Sequence, residues 1–278
     1  MTTLLDTGTG QPPQSAQLNF VRVFVVGGAY AYRALFAWAN PYVYVPIMLV
    51  QPIFQILFFA YLGRAAHIEN DSFFVIGNAI QAISTATLFG MLFTLDGERY
   101  AQTLSSILAT PANRVALFLG RSLPVMLNGM IVGTWSLVIG SLILGTTIPA
   151  SAIAPLVLTV VVAVFSSAGC GFVIGSLSLR YRNGLVLANT LSAFLLLCTG
   201  ANIPRDSLPE VLRVIGDCLP LTHAIHAARD LVAGSSLRDV SALLTTELAI
   251  GLAYALAGFI LLRYFEQLGR RKAAFDTA

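Results

Sequence analysis

What most constrains this chain is a series of uninterrupted apolar runs, each about twenty residues long. The first is "YVYVPIMLVQPIFQILFFAYL", Tyr42 to Leu62. A helix rises 1.5 Å per residue, so about twenty residues cover the roughly 30 Å of hydrocarbon in a bilayer. Further runs cover Phe73 to Thr94, a third segment ending at Leu144, about Ala154 to Leu179, and about Ala242 to Tyr264. A shorter one lies between Leu185 and about Thr199. Composition agrees: 56% of the 278 residues are hydrophobic and 10% are charged, where soluble domains carry about 25% charged residues. In lipid every backbone N–H and C=O must find its partner within the fold, which leaves helices and closed barrels. Runs of this length predict helices. The expected fold is an all-α polytopic membrane protein with six transmembrane helices.

Basic residues orient it. With six spans and both ends inside, Arg22, Arg33, Arg99, Arg114, Arg121, Arg180, Arg182, Arg263, Arg270, Arg271 and Lys272 face the cytoplasm, eleven of the sixteen Lys and Arg. Arg64 and the four arginines between 201 and 240 fall outside. The positive-inside rule therefore predicts cytoplasmic termini and a multi-pass protein of the plasma (inner) membrane. Its opening residues, "MTTLLDTGTGQPPQSAQ", have neither a basic n-region nor an apolar h-region, so they read as a polar tail over 1–18. Over 19–40, Arg22, Arg33, Asn19 and Asn40 fall on one helical face, which predicts a helix lying in the interface. Residues 41–278 then form the transmembrane domain. Dispersed basic residues predict no nucleic-acid partner, and Cys170, Cys198 and Cys218 have no metal or disulfide spacing.

Polar positions inside this apolar sequence carry the functional questions. "ERYAQTLSSILATPANR", Glu98 to Arg114, separates two spans. Leu104, Ile107 and Leu108 make one apolar helical face. Thr110-Pro111 ends one helix and starts the next, because a residue before proline avoids the α region and proline suits a first turn. Gln51 and Gln55 stand at i, i+4 in the first span, and Asn78 and Gln81 at i, i+3 in the second. Two readings are open for these four: lining of a translocation path, or interhelical hydrogen bonds. Glu247, two turns into the last span, is read as paired with a neighbouring polar group. Gly171-x-x-x-Gly175 is read as a close helix contact.

Between the fifth and sixth spans, Ser207 and Glu210 have capping-box spacing. Leu208, Val211, Leu212 and Ile215 form an apolar face on the helix that follows, and a second short helix runs from Thr222 toward a stop at Gly234. Neither can span. They read as a re-entrant pair dipping into the outer leaflet. His223 and His226 lack a third ligand, so no metal is expected. An intramembrane serine protease would need a serine and a histidine within spans, yet His67, His223 and His226 all fall in external loops. A secondary transporter would show inverted repeats, and none is visible.

The polar stretch resembles the coupling-helix motif of type-2 ABC transporter permeases, "E-R-E-x-G-T-L-E-x-L-L-x-T-P". Glu98, Arg99, Thr103, Leu104, Leu108, Thr110 and Pro111 match it, and Ile107 is a near match. Tyr100, Gln102 and Ser105 depart from it. "CLPLTHAIHAARDLVAG", Cys218 to Gly234, is similar to the family's "LPLT-x…R-x-L-x-x-G" element. The resemblance implies a permease without enzymatic chemistry, whose short cytoplasmic helix docks on a separate ABC ATPase present in two copies. ATP and Mg would sit on that ATPase; this chain has no GxxxxGK[ST] loop and is expected to bind no cofactor. It also implies a second permease, identical or paralogous, and an external gate that includes Pro220, Thr222, His223 and Arg229. For cargo, the middle of the first span presents Met48, Leu49, Val50 and Ile53 beside Gln51 and Gln55. An apolar wall with a few polar groups suits an amphipathic drug, antibiotic or lipid-like molecule. A lipid-linked polysaccharide is the alternative.

Overall fold

The computed structural model describes residue 28 and residues 41–67, 70–100, 114–178, 180 and 183–275. Among these, regular structure is entirely helical. Helix α1 (Pro41–Tyr44) passes into a π-helical stretch, Val45–Val50, and then into α2 (Gln51–Ala66). Long helices follow: α3 (Asp71–Tyr100), α4 (Arg114–Leu144) and α5 (Ala150–Ser178). Three short ones come next, α6 (Gly184–Cys198), α7 (Glu210–Cys218) and α8 (Thr222–Val232), before α9 (Ser241–Phe275) closes the chain.

Among the described residues, five segments are long and apolar enough to cross a membrane: Tyr42–Ala66, Asp71–Thr94, Gly120–Leu144, Ala150–Ser178 and Ser241–Phe265. The remaining expected span is α6, with 15 residues, about 22 Å of helix at 1.5 Å per residue. Two boundaries extend beyond expectation. Helix α3 continues through Glu98 and Arg99 to Tyr100, so the polar stretch begins as a rigid extension of the second span. Helix α9 runs on past Tyr264 through Arg270, Arg271 and Lys272. The expected tail over 1–18 lies outside the described residues, as does the expected interfacial helix 19–40 apart from Gly28. Gly28 is helical and lies against α4, where a Cβ on it would come within 3.0 Å of the Gly120 carbonyl.

Helices α3 and α5 form the centre, with α4 against α3 and α9 against α5. Small residues make this possible, since helices in lipid gain stability from close backbone approach rather than from expelling water. In α5 the run Ser166-Ser167-Ala168-Gly169-Cys170-Gly171 is wholly buried. A Cβ on Gly169 would lie 2.6 Å from the Gly251 carbonyl of α9, and one on Gly171 would lie 3.0 Å from the Met91 Cβ of α3. Gly171 is thus a close-packing position, as its spacing predicts. Hydroxyls reinforce the crossings: Thr87 and Ser167 oxygens are 2.6 Å apart, and Ser176 donates to the Gly258 carbonyl at 3.0 Å.

The first span is peripheral. Only 17% of the apolar window of Tyr42–Ala66 is buried, against 83% for Asp71–Thr94. Its π-helical stretch, Val45–Val50, contains Pro46 and ends two residues before Pro52, and a π-turn leaves carbonyls without their usual i+4 donors. Helix α4 supplies one donor and one acceptor: Trp135 Nε1 donates to the Leu49 carbonyl at 3.1 Å, and Asn128 Oδ1 accepts from the Tyr44 hydroxyl at 2.5 Å.

The expected capping box does not form. Ser207 belongs to a 3-10 turn, Arg205–Ser207, and Pro209 is the N-cap of α7 with no side-chain cap. Pro209 takes the N-cap position, two residues after Ser207, so Ser207 does not stand at the start of α7. Helix α8 begins at Thr222 and ends at Val232, with Gly234 (φ +104) as the expected stop.

Candidate functional site: the buried polar seat of α8

Two short helices share the α7–α8 segment, and α8 is the one built into the bundle. Ala224, Ile225, Ala227, Ala228 and Leu231 are buried against α3, α5 and α9. The first N–H groups of any helix have no partner within it. For α8 the acceptor comes from α9. Glu247 is 0% exposed, and its Oε1 accepts from the Leu221 N–H at 2.7 Å. Oε2 accepts from the N–H groups of His223 at 3.1 Å and Ala224 at 3.3 Å. The Ser166 hydroxyl of α5 also donates to Oε1.

One side chain therefore joins α5, α8 and α9, with an acceptor at the positive end of the α8 dipole. Leu221 sits in the left-handed region (φ +76), unusual for a residue with a Cβ. Such a conformation persists where its surroundings over-determine it. The Leu221 N–H on Glu247 and the Thr222 hydroxyl on the Gly216 carbonyl (2.6 Å) do so.

The far end of α8 is fastened by Arg229. It donates to the Phe73 carbonyl at 3.1 Å and the Ala201 carbonyl at 3.0 Å, and its guanidinium stacks 3.5 Å from the Phe73 ring centroid. Gly77 makes room: a Cβ there would fall 2.3 Å from the Ala201 oxygen and 2.7 Å from Arg229. Of the expected gate residues, His223 lies on Glu247, Thr222 bonds the Gly216 carbonyl, and Pro220 is buried immediately before Leu221. Arg229 sits a few turns along on the α3 side. His223 Nδ1 stands 3.8 Å from Glu247 Oε2. His226 is held below its ordinary pKa, first by burial and then by Arg205 and Arg229. Its Nε2 has no hydrogen-bond partner.

The four amides separate into two groups. Gln51 Nε2 donates to Gln55 Oε1 (3.3 Å), Gln55 Nε2 to Asn78 Oδ1 (3.1 Å), and Asn78 Nδ2 to Asn202 Oδ1 (2.7 Å). Gln81 does not join them; it donates to Ser84 (3.2 Å) and accepts from Thr199 (3.4 Å). Asn78 is 1% exposed and Gln81 3%, and each bonds a residue outside its own helix, Asn202 and Thr199, while Gln51 is exposed. Of the expected coupling residues, Glu98 and Arg99 form the last turn of α3. Thr103, Leu104, Ile107, Leu108, Thr110 and Pro111 lie outside the described residues.

Sequence reasoning found Glu247 but not its partners. Ser166, Asn202, Thr199 and the backbone of Leu221 carry no local signal. A lone carboxyl in an apolar span is the one mark that could have led there.

Among the described residues, five membrane-length helices, with a short helix held against three of them by a buried polar seat, define a polytopic helical membrane domain. Residues 30–232 match the family model described as ABC-2 type transporter. The chain belongs to that family, whose members are membrane components of ABC transporters. No curated protein matches this chain.

Proposed function

We propose that this chain is the permease subunit of an ATP-driven exporter that moves an amphipathic drug, antibiotic or lipid-like molecule out of the cytoplasm or inner leaflet. The supporting observation is the family match over 30–232, which takes in both the Glu98–Pro111 stretch and most of the Cys218–Gly234 element. In this reading α6 completes six spans, both termini are cytoplasmic, and α7–α8 is the external gate. Two ATPase copies and a second permease, identical or paralogous, complete the transporter. ATP and Mg stay on the ATPase.

The continuous α3 supports a mechanical role. Glu98 and Arg99 are helical with the span that carries Asn78 and Phe73, so a push on residues 98–111 travels along one rod toward Arg229 and the gate. Leu104 and Leu108 would seat in a cleft of the ATPase.

Purification of the full chain from its native membrane should bring down a Walker-A-bearing protein. Leu104→Asp and Leu108→Asp should lower transport and coupled ATP hydrolysis while insertion persists, losing about 2 kcal/mol or more of docking per buried leucine. Normal transport by both variants would remove the lever role. ATPase stimulation by a lipid-linked glycan alone would give the cargo to the polysaccharide alternative.

A further inference from the structure

Glu247 has donors and no cation. Three backbone N–H groups and the Ser166 hydroxyl point at its two oxygens, and the residue is 0% exposed. A buried charge is costly unless it is paired as well as hydrogen-bonded. Among the described residues, the basic side chain that approaches it is that of His223, whose Nδ1 stands 3.8 Å from Oε2. That nitrogen is buried and has no hydrogen-bond partner. A carboxylate oxygen can only accept, so a lone pair on Nδ1 would face a second acceptor across this gap. A proton on Nδ1 faces Oε2 as a donor instead. The His223 side chain keeps 15% exposure, so water still reaches the ring.

The other charges on the helices packed against α8 leave this contact alone. Helix α5 has no charged residue, and Glu247 is the only one in the first half of α9. Helix α3 brings Asp71, which is paired with Arg64. Helix α7 brings Glu210, Arg213 and Asp217, the last paired with Arg205. On α8 itself, Arg229 donates to two backbone carbonyls and Asp230 is exposed. His226 is held below its ordinary pKa by burial and then by Arg205 and Arg229, which keeps it from becoming a second cation on the helix.

We propose that His223 is a proton-operated clasp: on taking up a proton its ring pairs with Glu247 and fastens the start of α8 more tightly into the bundle. Imidazole is the side chain that changes charge between about pH 5 and 8. Away from water, the resulting ion pair is screened less than one at the surface. A proton bound more tightly by seated α8 than by released α8 must, by linkage, favour the seated state. The contact therefore adds stability below the histidine range and loses it as pH rises through that range. The His223 backbone N–H stays on Glu247 whatever the charge of the ring, so the seat persists and only its firmness changes. In the six-span reading α8 lies toward the outside, and the clasp reads external pH. It needs neither ATPase nor cargo.

The test is hydrogen exchange of the full chain in bilayer discs at about pH 5.5 and about pH 8, either side of the histidine range. Rates are corrected for the intrinsic pH dependence of exchange and referred to peptides covering 74–92. Peptides covering 221–232 should be about tenfold better protected at the lower pH, the value of one charge-assisted hydrogen bond. His223→Gln keeps the backbone bond to Glu247 and cannot charge, so its protection should be the same at both values. Glu247→Gln keeps an acceptor without the charge; it should also lose the response, and it serves if the first variant misfolds. His226→Gln should keep the response. Equal protection of the unmodified chain at both pH values would overturn the clasp, as would a response that survives His223→Gln. Loss of protection at the lower pH would overturn it too, marking His226 as the group that takes the proton.

Discussion

Helices α7 and α8 are consecutive, short and similarly amphipathic, yet the bundle treats them oppositely. Helix α8 is enclosed by α3, α5 and α9 and fastened at its start by Glu247 and near its end by Arg229. Helix α7 turns Val211 (70% exposed) and Ile215 (39% exposed) outward. Its ties are an ion pair between Arg205 and Asp217, the Leu212 side chain on the α6 cluster, and the Tyr254 hydroxyl on the Cys218 carbonyl at 3.1 Å. Amphipathic pattern alone therefore does not decide which half of a helical pair is held. Polar groups contributed by other helices do.

The largest effect should come from removing the α8 seat. Glu247→Leu leaves three backbone N–H groups without their acceptor, a loss of about 3 kcal/mol or more. Thermal unfolding in detergent, followed by a thiol dye reaching the buried Cys170 and Cys198, should shift down by about 6 °C or more. An unshifted midpoint would mean that α8 is held no more firmly than α7. Arg229→Leu should cost about 2–3 kcal/mol, from two charge-assisted hydrogen bonds and the stack on Phe73. Protease or hydrogen-exchange protection should fall first at 222–232 and 199–204, and protection lost uniformly along the chain would remove the local role. Val211→Ser, on the exposed face of α7, should change the midpoint by no more than about 0.5 kcal/mol equivalent. A large drop there would show that α7 is covered in the working protein.

Much of the fold was legible because crossing a bilayer imposes a length and an apolar composition that survive without tertiary information. Tyr42–Leu62 and Phe73–Thr94 were found within a few residues on that ground alone. The polar site was legible only as parts. The i, i+4 spacing put Gln51 beside Gln55, but the series continues to Asn202, and 124 residues separate that residue from Asn78. Glu247 reaches Ser166 across 81 residues and Leu221 across 26, and no periodicity records such pairs. The Ser207–Glu210 spacing misled because Pro209 starts the helix later. Local spacing predicts local bonds, and the seat of α8 is not local.

Glu247 also orders events in time. The chain is made from its N-terminus, so α8 is finished before the residue that accepts its leading N–H groups exists. Until α9 enters the membrane, those groups have no partner in hydrocarbon and must stay beside water or headgroups. A helix synthesised after α8 is thus the one that lets it sink into place. A chain truncated before Glu247 has every residue of α8 but lacks the carboxylate that accepts its leading N–H groups.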